Sequence, residues 1–312
     1  MYKVYVDGQH GTTGLLVNQR LEKHPEVEII SIPFEERHNR ELRIQLLNEA
    51  DIVFLCLPDE AAKESVNLIH NEKTKVIDAS TAHRTDSSWT YGFPELDEEL
   101  RTSIQKATRV SNPGCHATAA IAAIYPLVKE GILNPKSPLC LTSITGYSGG
   151  GKQMIEAYQT SEKPAYKAPR QYALNLAHKH LPEIVCRAGL EKNPIFMPFV
   201  SNFERGLALT VPLYLDDLQK KVSKEDLYQL YRKYFGKSNF VKVHQPDDKE
   251  SLVDGGVDVQ ASNDTNNLDL FIYGNDEQVQ IIARLDNLGK GASGAAIQNM
   301  NIMLGLNETT GL

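Results

Sequence analysis

The sequence predicts an α/β protein with two domains, a doubly wound parallel sheet followed by an α+β domain. In the first third of the chain, short apolar runs of strand length alternate with helical stretches, which is the order typical of a parallel sheet with helices on both faces. In the second half, strand-like runs follow one another with few helices between them, which favours a mostly antiparallel sheet. The 312 residues allow two domains, because single hydrophobic cores stop growing at about 250–300 residues.

Composition and charge exclude several classes of partner. The chain is 41% hydrophobic and 23% charged, and its net charge of −7 is spread without long runs, so we expect no nucleic-acid partner. No apolar stretch approaches membrane-spanning length, and Met1 leads almost directly into a strand pattern, so neither a membrane span nor a signal peptide is expected. The four cysteines are widely separated without a CxxC pair, which favours reduced thiols and a cytoplasmic protein.

A glycine-rich turn near the N-terminus predicts a dinucleotide site of the Rossmann type. A strand over residues 3–7 and a helix over 15–21 flank the sequence Gly8-Gln9-His10-Gly11-Thr12-Thr13-Gly14. The glycines let the backbone approach a pyrophosphate, while the helix N-terminus and the hydroxyls of Thr12 and Thr13 donate to it. The spacing is GxxGxxG rather than the commoner GxGxxG, and a tight turn without a ligand is the alternative interpretation.

The end of the second strand bears on the choice of nucleotide. An NAD-preferring site usually has an acidic residue near this point, but the strand over residues 26–32 ends with Ser31, and Arg37 follows in the loop. A hydroxyl and a cation suit a 2′-phosphate, so we expect NADP. The alternative is that Arg37 is only a solvated loop charge.

Two further strands complete the pattern of the first domain. Residues 51–57 form a continuous apolar run, as a strand covered on both faces requires, and residues 75–78 form the next strand after a helix over 60–70. Ser80 and Arg84 therefore fall at the carboxyl edge of the sheet, where ligands bind in doubly wound folds.

Cys115 occupies the position expected of a nucleophile. It follows an Asn-Pro-Gly turn and precedes an alanine-rich helix predicted over residues 117–128 and closed by Gly131. Backbone N–H groups and the positive end of the helix dipole favour a thiolate at such a position. The alternative is a small cysteine buried in a packed helix.

The second half of the chain is predicted to form a sheet with isolated helices. A second glycine-rich turn at residues 146–152 precedes a helix, residues 161–171 and 254–267 are expected to be loops, and a glycine-rich segment near residue 290 leads into a C-terminal helix that we expect to return to the first domain. The predicted strands cover residues 139–145, 195–200, 207–215, 240–243, 268–273 and 278–285, and an amphipathic helix covers 224–235.

A nucleotide site, a thiol at a helix start and a His-x-His pair fit a thiol-dependent, aldehyde-forming dehydrogenase. In such an enzyme the thiolate attacks an activated acyl group and hydride reduces the resulting thioester. His178 or His180 would relay protons; the alternatives are packing histidines or a metal site, for which further ligands of standard spacing are missing. A carboxylate or phosphate could be held by an arginine, although each one taken singly could be a surface cation: Arg84, Arg109, Arg170 and Arg205.

The chain also resembles the N-acetyl-γ-glutamyl-phosphate reductases of arginine biosynthesis, in their shorter form. The segments that carry the resemblance run from the first strand to the last residue: Asp7-Gly8-Gln9-His10-Gly11-Thr12-Thr13-Gly14, Ser111-Asn112-Pro113-Gly114-Cys115, His178-Lys179-His180-Leu181-Pro182-Glu183-Ile184, Arg205-Gly206, Asp286-Asn287-Leu288 and Leu304-Gly305-Leu306-Asn307-Glu308-Thr309-Thr310-Gly311-Leu312. The glycine turn departs from the GASGYTG-like turn of the longer form, which leaves the individual phosphate contacts open.

The resemblance implies a semialdehyde-dehydrogenase-like architecture and a set of site residues. A Rossmann domain over residues 1–114 and 291–312 would hold NADP(H), and a catalytic and dimerisation domain would cover 115–290 of a homo-oligomer, either a dimer or a tetramer. Cys115 would attack a small-molecule acyl phosphate, with His180, or else His178, as acid/base. The implied cofactor-binding residues are Gly8, Gly11, Thr12, Thr13, Gly14, Ser31, Arg37, Ser80, Ser148, Gly149 and Asn287, and the implied substrate-binding residues are Arg84, Asn112, Arg109 and Arg205; no metal is expected.

Three other functions fit parts of the sequence. Aspartate-semialdehyde dehydrogenase uses the same chemistry, but the HKHLPEI segment and the C-terminal tail speak against it. A non-catalytic NADP-sensing regulator would leave Cys115 inert. A cysteine hydrolase would use Cys115 and His180 without a nucleotide, which the glycine turn argues against.

Overall fold

The computed structural model describes residues 1–37 and 39–312, which form two compact units. Unit 1 comprises Met1–Pro113 and Ala292–Leu312, and unit 2 comprises Gly114–Gly291. The domain boundaries expected from the sequence lie one residue away at each of the two junctions. None of the helices among the described residues is both long and apolar enough to cross a membrane.

Strands and helices alternate through unit 1 and separate into runs in unit 2. The strands are β1 Tyr2–Asp7, β2 Val27–Ile30, β3 Ile52–Leu55, β4 Lys75–Asp78, β5 Thr90–Tyr91, β6 Arg109–Ser111, β7 Cys140–Gly146, β8 Arg170–Gln171, β9 Ile195–Ser201, β10 Leu207–Tyr214, β11 Val241–Val243, β12 Leu252–Val253, β13 Gly256–Val257, β14 Leu268–Gly274 and β15 Gln278–Leu285. The α-helices are α1 Thr12–Leu21, α2 Arg40–Glu49, α3 Asp59–Asn67, α4 Glu98–Lys106, α5 Cys115–Lys129, α6 Gly151–Thr160, α7 Leu181–Ala188, α8 Lys224–Phe235 and α9 Gly294–Leu304.

Unit 1 is a doubly wound sheet of six parallel strands in the order β2-β1-β3-β4-β6-β5. Successive residues of β1 and β3 point to opposite faces, so each strand contributes to two hydrophobic cores. One core joins Val4 and Phe54 to apolar residues of α1, α4 and α9, and the other joins Tyr5 and Val53 to those of α2 and α3. The C-terminal helix α9 thus covers part of one face of the parallel sheet of unit 1.

Unit 2 is built on a seven-stranded mixed sheet in the order β11-β14-β15-β10-β7-β9-β8. Four of its six strand pairings are antiparallel, and the β7–β9 and β11–β14 pairings are parallel. Helix α5 is buried almost all round, because small alanine side chains let it lie close to β10 and β15 and to α7. The fold class expected from the sequence, a parallel α/β sheet with a mostly antiparallel α+β partner, is confirmed.

Some local expectations differ from the structure. The segment expected to be a loop over residues 161–171 contains a 3₁₀ turn, Pro164–Lys167, and strand β8. Helix α2 was not predicted, because its sequence RELRIQLLNE is mostly polar and its apolar face is narrow. Helix α5 begins at Cys115, two residues earlier than predicted, so the thiol belongs to the first residue of the helix.

A buried ionic network holds the long connection between β11 and β14 to the sheet. His244 lies between two carboxylates, 2.9 Å from Asp248 Oδ2 and 2.8 Å from Asp269 Oδ1, and Arg284 donates to Asp269 over 3.0 Å. Burial opposes ionisation of Asp269, but hydrogen bonds from His244 and Ser262 and the charge of Arg284 outweigh it and lower the pKa of this carboxyl to about 2. The Asp269 carboxylate is thus ionised at neutral pH.

Candidate active site

Cys115 is the first residue of α5, and its helix start is built without a side-chain cap. Gly114 precedes it with extended backbone (φ −82°, ψ 152°), and no side chain caps the helix. The Gly114 N–H instead donates over 3.0 Å to Oε1 of Glu183, a buried residue of α7. The positive end of α5 therefore faces the partly exposed thiol of Cys115, which favours its thiolate form.

The backbone of Gly291 comes unusually close to the cysteine. A Cβ placed on Gly291 would lie 3.1 Å from Cys115 Cα and 2.6 Å from its Cβ, and real Cβ atoms essentially never come as close as the second distance. Only glycine lets this segment pass so close to the thiol-bearing residue. The glycine-rich stretch noted in the sequence therefore has a packing reason at the candidate site.

Three histidines form a cluster around the start of α5. His116 lies 5.4 Å from His178 and 5.7 Å from His180, measured between ring centroids, and the rings of His178 and His180 are 4.9 Å apart. Phe196 of β9 contacts His116 and His178 edge-on. The structure thus brings both predicted histidines to the residue that follows Cys115.

A backbone hydrogen bond and burial together determine the tautomer and the charge of His178. His178 Nδ1 accepts from the backbone N–H of His180 over 3.1 Å. Burial, with a smaller effect from the charge of Lys179, lowers the pKa of His178 to about 4. His178 is therefore neutral at pH 7 with its proton on Nε2, so it can donate a hydrogen bond but has no nitrogen left to accept a proton.

His116 and Tyr172 were not predicted as site residues, although His116 directly follows Cys115 and hydrogen-bonds to Tyr172. His116 Nδ1 is 3.0 Å from Ser143 Oγ, and His116 Nε2 is 2.9 Å from the hydroxyl of Tyr172. The sequence placed His116 next to Cys115 but showed no partner for it. Tyr172 lies 56 positions after His116 in the chain, and only the fold joins the two.

The glycine turn of unit 1 has the close backbone approach that a pyrophosphate site needs. Gly8 has φ +91°, and a Cβ on it would lie 2.3 Å from the carbonyl oxygen of Cys56. A Cβ on Gly14 would lie 2.3 Å from the carbonyl oxygen of Gly8. Neither a side-chain cap nor an acidic residue occupies the first turn of α1, so its N–H groups, with the hydroxyls of Thr12 and Thr13 beside them, suit an anion.

A cavity of about 410 Å³ opens at this turn. Its lining includes Gly8, Gly11 and two cations, Arg37 and Arg43. Arg37 is exposed and lies over the Phe34 ring, with its Cζ atom 4.2 Å from the ring centroid. Ser31 is exposed just after β2, outside the set of described residues that line the cavity. The glycines and cations fit the phosphates of a dinucleotide.

Arg43 reaches the end of β1 from α2 and was not predicted. Its Nε donates to both carboxylate oxygens of Asp7, at 3.2 and 3.0 Å, and its Nη2 donates to Ser65 Oγ. Arg43 is therefore already neutralised by Asp7, whereas Arg37 makes its one described side-chain hydrogen bond to the carbonyl of Phe34. Of the two arginines that line the cavity, Arg37 is therefore the one more available to pair with an anionic group of a ligand.

Ser80 and Arg84 lie buried just after β4, at the carboxyl edge of the parallel sheet. Ser80 Oγ donates to Asp78 over 2.8 Å, and Arg84 Nη2 donates to the carbonyl of Ala79 over 2.9 Å. Asn112 directly follows β6. Its Nδ2 donates to the carbonyl of Ala292 and its Oδ1 accepts from Asn299 Nδ2, so both ends of its amide are engaged within unit 1.

Arg109 lies at the other edge of the same sheet. It is the first residue of β6, and its Nη1 donates to the carbonyls of Thr74 and Thr108. Since ligands of doubly wound sheets bind at the carboxyl edge, this position at the amino edge disagrees with the expected substrate role of Arg109.

The remaining predicted residues belong to unit 2. Asn287 Nδ2 donates to Ser148 Oγ over 3.0 Å, and Asn287 Oδ1 accepts from the Gly206 N–H over 2.8 Å. A Cβ on Gly149 would lie 3.2 Å from Asn287 Nδ2, so these residues form one tight group. Arg205 pairs with the exposed Asp264 at 2.6 Å. Within residues 1–37 and 39–312, no three His, Cys, Asp or Glu side chains are grouped so as to hold a metal ion.

Two family models match the two units. The NAD-binding domain of semialdehyde dehydrogenases matches residues 3–104, and the dimerisation domain of the same enzymes matches residues 115–287. A curated N-acetyl-gamma-glutamyl-phosphate reductase of Trichormus variabilis is 42% identical, over 99% of both chains. N-acetyl-gamma-glutamyl-phosphate reductase 2 of Pseudomonas putida is 45% identical, over 99% of this chain and 98% of its own.

The chain belongs to the N-acetyl-γ-glutamyl-phosphate reductase family. Among solved structures, a probable aspartate-semialdehyde dehydrogenase of Pseudomonas aeruginosa matches with a TM-score of 0.70 and 15% identity, covering 97% of this chain and 98% of its own. At that identity the likeness shows the shared fold only. The resemblance inferred from the sequence motifs is confirmed, and the family binds a nicotinamide nucleotide in the domain that matches unit 1.

Proposed function

We propose that this family member reduces N-acetyl-γ-glutamyl phosphate to N-acetylglutamate 5-semialdehyde, with release of phosphate, through a thioester on Cys115. The relatives that carry this name are 42–45% identical over almost the whole chain. The observation that carries the chemistry is the thiol at the uncapped start of α5 with His178 and His180 clustered around the next residue. A thiolate and a proton donor are what acyl transfer from an acyl phosphate requires.

The first step is attack of the Cys115 thiolate on the acyl carbon. A sulfur–carbon bond forms, the carbon–oxygen bond to the phosphate breaks with its electron pair, and phosphate leaves. His180, having taken the thiol proton, returns it to the departing phosphate. When bound, the reduced nicotinamide supplies the hydride that the thioester carbon needs. Cys115 then leaves as a thiolate when the aldehyde carbonyl forms, and one proton taken up from solvent by the neutral His180 restores the thiolate–imidazolium pair for the next turnover.

His180 is the better acid/base residue, because His178 has already committed both ring nitrogens. The Nδ1 atom of His178 accepts a backbone hydrogen bond and its Nε2 carries the proton. A neutral Nε2–H can donate a hydrogen bond to a carbonyl oxygen that becomes negative during attack. We therefore assign proton transfer to His180 and hydrogen-bond donation to His178.

We further propose NADP(H) as the cofactor. Its phosphates would contact the turn formed by Gly8, Gly11, Thr12, Thr13 and Gly14, and Arg37 would pair with the 2′-phosphate. The available charge of Arg37 at the rim of the cavity supports this preference. Ser31, Ser80, Ser148, Gly149 and Asn287 remain proposed cofactor residues with less support, since Ser31 lies outside the cavity lining and Ser148 and Asn287 bond to each other.

For the substrate, the proposal retains Arg84 and Arg205. Arg205 is the stronger candidate, because its partner Asp264 is largely exposed and can be exchanged for a substrate carboxylate. Asn112 is retained with less support, since both ends of its amide are engaged. In this proposal residues 1–114 with 291–312 bind the nucleotide, and residues 115–290 carry catalysis and oligomer contacts.

The assembly and the location of the protein are also proposals. The family model that matches unit 2 is a dimerisation domain, and exposed apolar residues on the sheet, such as Ile144, Ile195 and Tyr214, support a homo-oligomer, either a dimer or a tetramer. A monomer in sedimentation equilibrium would contradict it.

The four free cysteines support a cytoplasmic location, which cell fractionation tests.

Replacing the nucleophile tests the proposed reaction. Cys115→Ala is expected to reduce turnover to background, because no other group can form the thioester, while NADPH binding measured by fluorescence is retained. The assay is phosphate-dependent reduction of NADP with N-acetylglutamate semialdehyde. The matched control is Cys186→Ala, which removes an exposed thiol and should keep full activity. Appreciable turnover by the Cys115→Ala variant contradicts the proposal.

Replacing each histidine separately tests the division of roles. His180→Asn is expected to lower kcat by about 10²-fold or more, the usual contribution of a general acid/base. His178→Asn, which keeps an N–H donor, should lower kcat less than about tenfold, because the variant weakens one hydrogen bond, worth about 0.5–1.5 kcal/mol, and leaves proton transfer in place. Steady-state kinetics at saturating substrate measures both. The reverse order of effects would show that His178 transfers the proton.

Replacing Arg37 tests the nucleotide preference. Arg37→Ala is expected to raise KM for NADPH about tenfold, since a hydrogen bond to a charged group contributes roughly 1.5–3 kcal/mol, and to leave KM for NADH unchanged. Arg40→Ala is the matched control, because Arg40 is an exposed cation three residues away outside the cavity lining. If the ratio of the two KM values does not move, Arg37 is only a loop charge.

A further inference from the structure

A chain of hydrogen bonds leads from the residue after the thiol to the backbone of β10. The hydroxyl of Ser143 donates to the carbonyl oxygen of Ala208 over 3.3 Å. Because a serine has a single hydroxyl proton, Ser143 must accept from His116 Nδ1, which lies 3.0 Å away. The backbone carbonyl of a sheet strand therefore determines that the proton of His116 is on Nδ1.

The other nitrogen of His116 then has to be an acceptor. His116 is buried, and its burial, followed by repulsion from His178 when that ring is protonated and from the charge of Lys179, lowers its pKa to about 3, so the ring is neutral at pH 7. The group facing Nε2 is the hydroxyl of Tyr172 at 2.9 Å. Tyr172 therefore donates its only proton to His116.

The hydrogen bond to His116 Nε2 holds the Tyr172 hydroxyl at the side chain of the residue that follows Cys115, within range of the charge of the thiolate. Burial and then the charge on Cys115 raise the pKa of Tyr172 well above its ordinary value, which keeps the phenol protonated. A neutral phenol beside a thiolate would normally turn its O–H onto the sulfur. Such a hydrogen bond stabilises the thiolate and lowers its basicity, and thiolate nucleophilicity falls with basicity.

We propose that His116 is a positioning residue that holds the Tyr172 hydroxyl away from the Cys115 thiolate and so keeps the thiolate strongly nucleophilic. The proposal rests on the proposed function in one respect, that Cys115 is the nucleophile. It also implies that the Tyr172 oxygen presents only lone pairs on its other side. Tyr172 then cannot donate a hydrogen bond to the reacting carbonyl oxygen, which leaves that task to His178.

The reactivity of Cys115 also depends on the charged and titratable groups around it. These are His116 on α5 itself, Tyr172 from the segment after β8, and the residues that precede or belong to α7, namely His178, Lys179, His180 and Glu183. Variants at His116 and Tyr172 leave the other four in place. An effect of replacing His116 that disappears when Tyr172 is replaced as well therefore reports on the hydrogen bond between these two residues.

The test is the rate of Cys115 alkylation by iodoacetamide as a function of pH, in protein without substrate or nucleotide. In His116→Leu the released phenol should bond to the thiolate, so the pH of half-maximal alkylation falls by about one unit, as expected for one hydrogen bond to an ionised group. The limiting rate at high pH should fall about threefold, following the dependence of thiolate nucleophilicity on basicity.

Three further variants separate the hydrogen bond from a general structural effect. His116→Gln keeps an acceptor oxygen and should stay near the wild-type profile. Tyr172→Phe alone should leave the profile close to wild type, and adding Tyr172→Phe to His116→Leu should restore it. If the double variant keeps the shifted profile of His116→Leu, Tyr172 is not the cause and the proposal is overturned.

Nitrogen-15 NMR of histidine-labelled wild-type protein tests the same proposal without relying on a variant that must fold with a changed core. The resonances of His116, assigned by their loss in the His116→Gln spectrum or by ring couplings, should show Nδ1 protonated and Nε2 unprotonated between about pH 6 and 8. A proton on Nε2 overturns the proposal. Because neither measurement uses turnover, both remain decisive even if the proposed substrate is incorrect.

Discussion

The hydrogen bond from the Gly114 N–H to the carboxylate of Glu183 is the interaction on which the arrangement of Cys115 and the histidines, the proposed catalytic group, depends. It joins the start of α5, which carries Cys115, to α7, whose first turn follows directly after His180. Since His180 and Glu183 are three residues apart on one helical turn, one contact aligns the histidine segment with the thiol. Glu183 also provides the negative charge that a helix N-terminus favours. Loss of this contact would remove the Glu183 acceptor from the buried Gly114 N–H group, and one donor from the buried Glu183 carboxylate.

The parts of the site follow from this arrangement. The thiol lies at the N-terminus of α5, burial keeps His178 neutral while its Nδ1 accepts from the backbone N–H of His180, and His116 is oriented by the sheet through Ser143. His116 and His178 thus each have one tautomer, set by a neighbour whose position the fold determines. Preorganisation of this kind allows charge to develop without rearrangement of the site.

Much of the fold and part of the site could be predicted from the sequence. The strands of unit 1 are short apolar runs bounded by Gly, Pro and polar residues, so β1, β3 and β4 were recognised, and the turn before Cys115 has a strong local signal. Helix α2 was missed because its apolar face is narrow. Arg43, Tyr172 and Glu183 were missed as site residues because their roles arise only from contacts across long sequence separations. Arg109 was chosen as a cation near the cysteine turn, but strand direction places it at the opposite edge of the sheet.

The most direct test of the central claim is to look for the thioester itself. The protein is mixed with N-acetyl-γ-glutamyl phosphate without nucleotide, quenched in acid and examined by intact-mass and peptide mass spectrometry. The account predicts one added acyl group, located on the peptide that contains Cys115, with release of one equivalent of phosphate, and disappearance of the adduct when NADPH is added before quenching. Phosphate release and aldehyde formation with NADPH, but no acyl group on Cys115 under any quench condition, would contradict it.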